Sequence, residues 1–219
     1  MSTVAVLPVK RFDEAKQRLG ETLAPGTRRA LAEAMLADVL TALRRARRVD
    51  AVVVVTSETA ADGLSRAHGA LVIRDPEEPG HSQAASRGVR WALEQGALRV
   101  LLVPGDCPAL DPAEADDLLI AQPHADPRVT IVPDRHGTGT NALLLHPPDA
   151  IVPSFGPGSR ARHEAAAAAA GAEWRIAEPP SLTLDVDTAD DLAVLRAALD
   201  GRTGGAAYTR GMLARLGRR

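Results

Sequence analysis

Cysteine is nearly absent from this 219-residue chain, and lysine is almost as scarce. The lone Cys107 excludes a disulfide framework and any zinc site built on several cysteines. No apolar stretch approaches the roughly 20 residues that a helical membrane span needs. The N-terminus enters a strand-like pattern without the charged region, apolar run and cleavage site of a secretory signal. A reducing, cytoplasmic setting is therefore expected, with no membrane partner. Positive charge is not in excess either: 26 Lys and Arg stand against 28 Asp and Glu, a formal net charge of -2. That balance argues against nucleic acid as a partner. All but two of the basic residues are arginine, and the two lysines, Lys10 and Lys16, fall in one short segment. In so arginine-rich a chain, lysine persists where a compact, rotatable ammonium is needed, as on a phosphate. The alternative is two ordinary surface lysines.

Several well-known site motifs are missing as well. The loop after the first apolar run carries neither a Walker A sequence nor a G-x-G-x-x-G turn. The six histidines, His68, His81, His124, His136, His146 and His163, form no H-E-x-x-H or similar metal spacing, and no G-x-S-x-G elbow is present. Cys107, placed between an aspartate and a proline, reads at least as well as a small apolar filler as it does as a nucleophile.

What is there is an alternation of short apolar runs with helical periodicity. Val4 to Val9 reads as a buried strand. Leu31, Met35, Val39 and Leu43 then recur at helical spacing, and Ala51 to Thr56 is a second buried strand. A short helix from Ala60 to His68, a strand at Leu71 to Ile73, and a helix to Glu94 capped by Ser82 follow. Then come a strand from Arg99, a helix near Pro112 to Ile120, and strands at Val129 to Val132 and Ala142 to Leu145. The last third reads as a helix from Ser159 through the alanine run, a short strand near Leu182 to Leu184, and a helix from Thr188 to Leu199. With 45% apolar residues the chain can bury one full core. The pattern predicts an α/β fold: a mostly parallel sheet with helices on both faces, in one domain over residues 1–200. Residues 201–219 read as a loose C-terminal tail.

Open α/β sheets bind ligands at the carboxyl ends of their strands, so the residues there carry the functional reading. After the first strand stands KRFDEAKQRL, whose Lys10, Arg11, Lys16 and Arg18 suit a triphosphate neutralised by side chains; a solvated basic loop is the alternative. After the fourth strand, Gly105 and Cys107-Pro108 flank Asp106, a candidate ligand for a hard cation such as Mg2+ that takes one or two carboxylates plus phosphate oxygens. Asp185 is a second candidate. Asp187 either joins it or caps the last helix. A third constellation lacks acids: Gly137-Thr138-Gly139-Thr140 leads into a strand, and Phe155-Gly156-Pro157-Gly158-Ser159 leads into the alanine-rich helix. The first turn of that helix is expected to present free amides to an anion, reinforced by Arg160, Arg162 and His163.

In order and spacing, LPVKRFDEAKQRL, PGDCPAL, DRHGTGT, SFGPGSRARH and LDVDTADDL resemble the guanylyltransferases of deazaflavin coenzyme (coenzyme F-420) biosynthesis, across nearly the whole chain. The resemblance implies the nucleotide-diphospho-sugar transferase (GT-A-like) fold, a three-layer α/β/α sandwich on a mixed sheet. It also implies that Thr140, Gly156 and Ser159 hold a phosphorylated acid while Asp106 and Asp185 hold Mg2+. Relatives that act on molybdopterin or sugar phosphates carry a G-G-x-S-x-R-M-G loop after the first strand; here the lysines stand instead. The expected reaction transfers GMP from GTP to phosphoenolpyruvate and releases diphosphate. Asp106, Lys10 and Lys16 would serve catalysis, and Lys10, Lys16 and Arg18 would hold the nucleotide. 2-Phospho-L-lactate and 3-phosphoglycerate are the alternative acceptors. Guanine specificity is inherited from the resemblance alone, with base readout expected near Pro79 to Ser82. A homodimer is admitted by the same resemblance. The readings from other classes are a non-catalytic nucleotide-binding module and a dinucleotide-dependent oxidoreductase, the latter opposed by the missing glycine fingerprint.

Overall fold

A computed structural model describes residues 2–12, 16–20, 22–76, 80–120 and 127–217. The strands are β1 (Thr3–Pro8), β2 (Ala51–Thr56), β3 (Leu71–Arg74), β4 (Arg99–Leu102), β5 (Arg128–Pro133), β6 (Thr140–His146) and β7 (Glu173–Ile176). The helices are α1 (Pro25–Arg45), α2 (Thr59–Ala67), α3 (His81–Glu94), α4 (Pro112–Ile120), α5 (Ser159–Ala169), α6 (Ala189–Asp200) and α7 (Ala207–Leu216).

The strands form one sheet in the order β3-β2-β1-β4-β6-β5-β7. Only β6 runs against its neighbours β4 and β5; the other pairings are parallel. This single reversal puts the start of β6, at Thr140, on the same rim as the carboxyl ends of the parallel strands. Alternation along each strand divides the core between the two faces. Ala5, Leu7, Val52, Val54, Leu101 and Leu144 pack with Leu36, Leu40 and Leu43 of α1 and Leu118 and Leu119 of α4. Val4, Val6, Val53, Val55, Leu102 and Leu143 pack with Ala85, Val89 and Ala92 of α3 and Ala167 of α5. The result is the three-layer sandwich expected from the alternation. Helix α3 lies very close to the sheet, because a Cβ on Gly88 would come within 2.2 Å of Val6 Cγ1. That closeness holds the N-terminus of α3 over the end of β1.

Four expectations need correction. Leu182 to Leu184 is a buried loop rather than a strand, and the strand of that region is β7, whose Glu173 and Trp174 are exposed at the sheet edge. The tail is not loose beyond Gly201. Helix α7 packs on α1, where buried Asp38 accepts hydrogen bonds from the amides of Tyr208 (3.1 Å) and Thr209 (2.7 Å), and Leu213 joins Leu31, Met35 and Leu195 in a third apolar cluster. Burial raises the Asp38 carboxyl above its ordinary value, with those amide bonds pulling the other way. Ser82 does not cap α3: Gly80 precedes the helix, and the Ser82 hydroxyl accepts from the Phe155 amide at 2.9 Å. Asp187 does not cap α6 either. Thr188 does so, in a reciprocal capping box with Asp191.

Candidate active site

The loop leaving β1 is anchored by Phe12, whose ring is buried and whose amide donates to Glu58 Oε2 at 3.2 Å. Lys10 stands exposed on one side of that anchor. On the other side Lys16 turns inward, at φ 60 and ψ 32, a left-handed conformation uncommon for a side-chain-bearing residue. Its ammonium, with only 5% of the side chain exposed, donates to Asp106 Oδ2 and, at 3.1 Å, to Asp187 Oδ1. Burial by itself would depress this lysine, but the two carboxylates and their hydrogen bonds outweigh it and hold the group above the ordinary lysine range. Lys16 is therefore a charged tie between the carboxyl end of β4 and the segment before α6. Arg18, expected on the nucleotide, is exposed on the 3-10 turn Gln17–Leu19 and does not line the cavity that the lysines face.

That cavity, about 300 Å3, is lined by Lys10, Lys16, His81, Gly105, Asp106 and Asp187, with Phe12, Met35 and Leu36 as its apolar wall. Asp187 enters the site because its amide, not its carboxylate, engages the α6 cap, donating to Asp191 Oδ2 at 3.0 Å. Asp185 lies deeper and accepts from Asn141 Nδ2 at 3.2 Å. Burial, followed by the charge of Asp106, raises its carboxyl to about 6. Asp106 and Asp185 are thus electrostatic neighbours. Asp106 Oδ1 is buried without a hydrogen-bond partner among the described residues. Two mutually repelling carboxylates, one with an orphaned oxygen, suit a divalent cation. Among the described residues no three His, Cys, Asp or Glu side chains converge to hold an ion alone. Such a cation would therefore complete its shell with phosphate oxygens or water.

His81 was not singled out by sequence reasoning, because a lone histidine after a glycine fits no spacing rule. It lines the cavity and is pushed down to about 4 by burial, with the Lys10 charge adding to the effect and Asp106 opposing it. Its ring meets Phe155 edge-on at 5.0 Å, and Phe155 meets His163 at 5.4 Å. This aromatic line joins the lysine–aspartate cavity to the glycine-rich loop before α5.

His163 is fully buried and is likewise pushed down to about 4 by burial, helped by the Arg162 charge. A neutral ring has one donor and one acceptor. Nε2 accepts from the Ser154 amide at 2.9 Å, so the proton resides on Nδ1, which donates to Thr140 Oγ1 at 3.0 Å. The Thr140 hydroxyl is left with its own hydrogen to give. Ser159 Oγ, fully buried at the first turn of α5, has no hydrogen-bond partner among the described residues. Gly156, at φ 110, bends the loop between them in a conformation closed to most side chains. Two of the amides expected to be free, and the arginines expected to reinforce them, are already engaged. The Ser159 and Arg160 amides bond Gly156 O (3.0 Å) and Thr138 O (3.3 Å). Arg160 pairs with Glu164 at 2.9 Å, and Arg162 clamps the loop through Ser154 and Phe155. With His163 neutral, the uncommitted side-chain hydrogens at this turn are those of the Thr140 and Ser159 hydroxyls among the described residues. Cys107 is buried, and burial raises its thiol far above the ordinary value, which removes it as a nucleophile.

Among the described residues no helix is long and apolar enough to cross a membrane. The fold matches a solved protein from Desulfovibrio desulfuricans G20 assigned as a nucleotide-diphospho-sugar transferase, with a TM-score of 0.76 at 18% identity over 100% of this chain and 98% of that one. The chain is 56% identical over 216 residues to the phosphoenolpyruvate guanylyltransferase of Conexibacter woesei, covering 99% of this chain and 97% of the relative. It is 42% identical over 195 residues to the enzyme of the same name from Sphaerobacter thermophilus, covering 89% and 93%. The model of the family described as guanylyl transferase, CofC-like, matches residues 3–217: this chain belongs to the CofC-like guanylyl transferase family.

Proposed function

We propose that this chain transfers GMP from GTP to phosphoenolpyruvate with release of diphosphate, as a cytoplasmic step of coenzyme F-420 biosynthesis. The observation that carries the reading is the meeting, on one rim of the sheet, of two complementary sites. One is the cavity of Lys10, Lys16, Asp106 and Asp187; the other is the hydroxyl-bearing turn of Thr140 and Ser159, joined to it through His81, Phe155 and His163. The names of the relatives from C. woesei and S. thermophilus support the same acceptor.

The acceptor phosphate is already anionic near neutral pH, because the second ionisation of a phosphate monoester lies near 6. Its oxygen attacks the α-phosphorus of GTP, the α–β bridging bond breaks, and the electron pair leaves with diphosphate. No proton has to be removed, so the step calls for no general base. Lys10 and Lys16 neutralise the triphosphate, and the Thr140 and Ser159 hydroxyls with the Gly156 loop hold the acid in line with it. Asp106 and Asp185 would hold Mg2+, which supplies charge neutralisation on the phosphates. The test is diphosphate release across GTP, ATP and CTP, each with phosphoenolpyruvate, 2-phospho-L-lactate and 3-phosphoglycerate. Turnover confined to GTP with phosphoenolpyruvate is expected. GTP binding without diphosphate release from any acceptor would refute the enzyme reading in favour of a binding module.

A further inference from the structure

The lysine–aspartate cavity accounts for the phosphates of a guanylyl donor and leaves its base without a place. A second cavity of about 170 Å3 adjoins it and shares Pro8, Val9, Lys10 and His81 with it. Its remaining lining comes from the carboxyl ends of β2 and β3 and the start of α3: Val55, Thr56, Ser57, Asp75, Gly80 and Ala84. Of the Pro79 to Ser82 stretch, where base readout is expected from the sequence, Gly80 and His81 line this cavity, and Pro79 lies outside the described residues. Pro8, Val55 and Ala84 give apolar surface for the faces of a ring, and the size suits one base rather than a whole nucleotide.

Among the described residues Asp75 is the one carboxylate in this lining. It follows β3 directly, is 3% exposed, and is fixed at its backbone by donating its amide to Thr56 O at 3.1 Å. Its Oδ1 is buried with no hydrogen-bond partner among the described residues. Arg87 Nη1 comes within 3.3 Å of that oxygen as an ion pair, outside hydrogen-bond geometry, and donates instead to Arg74 O at 3.3 Å. A buried carboxylate oxygen without a donor is costly, and it calls for one. Ionised, the group only accepts. Guanine alone among the common bases offers two adjacent donors on one edge, N1–H and the 2-amino group, at the spacing of two carboxylate oxygens. Adenine and cytosine turn an acceptor nitrogen to that position, and uracil flanks its single N–H with carbonyls.

Building on the guanylyltransferase reading, we infer that Asp75 is the specificity residue for the donor base, accepting both hydrogens of the Watson–Crick edge of guanine within this second cavity. The decisive experiment is Asp75→Asn assayed for diphosphate release with GTP and with xanthosine triphosphate, whose 2-carbonyl replaces the 2-amino group. The asparagine oxygen still accepts from N1–H, while its amide now donates to that carbonyl. The expected result is a reversal: kcat/KM for GTP falls about 100-fold, and that for xanthosine triphosphate rises at least tenfold over wild type. A parallel loss with both nucleotides, meaning that Asp75 serves only to hold Arg87, would overturn the inference. The wild-type protein gives an independent reading that needs no variant: inosine triphosphate, lacking only the 2-amino group, should be used at least tenfold less efficiently than GTP, and equal use would also overturn it. Failure of the parent reading looks different, since wild type would then release no diphosphate from GTP with any acceptor.

Discussion

The bond from His163 to Thr140 allows the proposed acceptor site to be dissected one hydrogen at a time. Because Nε2 accepts from Ser154, Nδ1 carries the ring proton and occupies one lone pair of Thr140 Oγ1, leaving the threonine hydrogen for the ligand. A hydrogen bond from a hydroxyl to an ionised phosphate or carboxylate contributes about 1.5–3 kcal/mol, which is roughly 10- to 150-fold in an equilibrium constant. Thr140→Val should therefore raise KM for the acid at least tenfold at saturating GTP, with kcat much less affected, while Thr140→Ser keeps KM near wild type. His163→Asn places an amide where Nδ1 was and still donates to Thr140. Its KM should stay within about threefold of wild type, although the Ser154 amide loses its acceptor at a cost of about 1–3 kcal/mol of stability. His163→Gln reaches the Nε2 position instead, satisfies Ser154, and leaves Thr140 undirected, so KM should rise about tenfold with less loss of stability. Steady-state kinetics with the acid varied, beside denaturant melts, separate the two variants. If Asn and Gln raise KM alike, or Thr140→Val leaves it unchanged, the assignment of the proton and its purpose is wrong.

Asp106→Asn should lower turnover by at least 100-fold while thermal melts show a folded protein, because the half-exposed partner Asp187 keeps Lys16 paired; near-normal diphosphate release would remove Asp106 from the site. The two depressed histidines make stability pH-dependent. Each stays neutral in the folded chain down to about 4 but takes up a proton near 6.5 when unfolded, so each withdraws about 1.4 kcal/mol per pH unit as the pH falls from 6.5 toward 4. Asp185, raised to about 6, acts with the opposite sign between about 6 and 3.8 and offsets one of them. Denaturant midpoints at pH 7 and pH 5 should therefore differ by less in His163→Asn than in wild type, and an unchanged difference would count against a neutral His163. Truncation after Gly201 should lower the melting temperature by several degrees, since it strips both amides from buried Asp38 and uncovers Leu31 and Met35; an unchanged melt would restore the reading of the tail as loose.

The sequence by itself determined the layers and the rim. Buried β-branched runs such as Ala51 to Thr56 and the helical spacing of Leu31, Met35, Val39 and Leu43 leave few alternatives to a mostly parallel sheet between helices, and parallel sheets place ligands at their carboxyl ends. Lys10, Lys16, Asp106, Asp185, Thr140 and Ser159 were therefore legible as rim residues. β7 was not, because an edge strand needs no apolar run when its Glu173 and Trp174 face solvent. Helix α7 was missed for a related reason: its few inward positions are spaced among arginines and glycines, and only α1 supplies the surface that buries them.

Only tertiary structure decided the partnerships, because each joins residues far apart in the chain. Lys16 is bound to Asp106 and Asp187 rather than held out to solvent, Arg160 and Arg162 are consumed by Glu164 and the loop carbonyls, and His163 is a neutral donor to Thr140 rather than a cation. Whether a side chain is charged, and which of its atoms remain for a ligand, depends on burial and on neighbours brought from elsewhere in the sequence. Periodicity reports which face a residue occupies. It carries no information on what stands opposite, and for Asp75 and His81 that opposite wall is what turns an ordinary residue into a candidate for function.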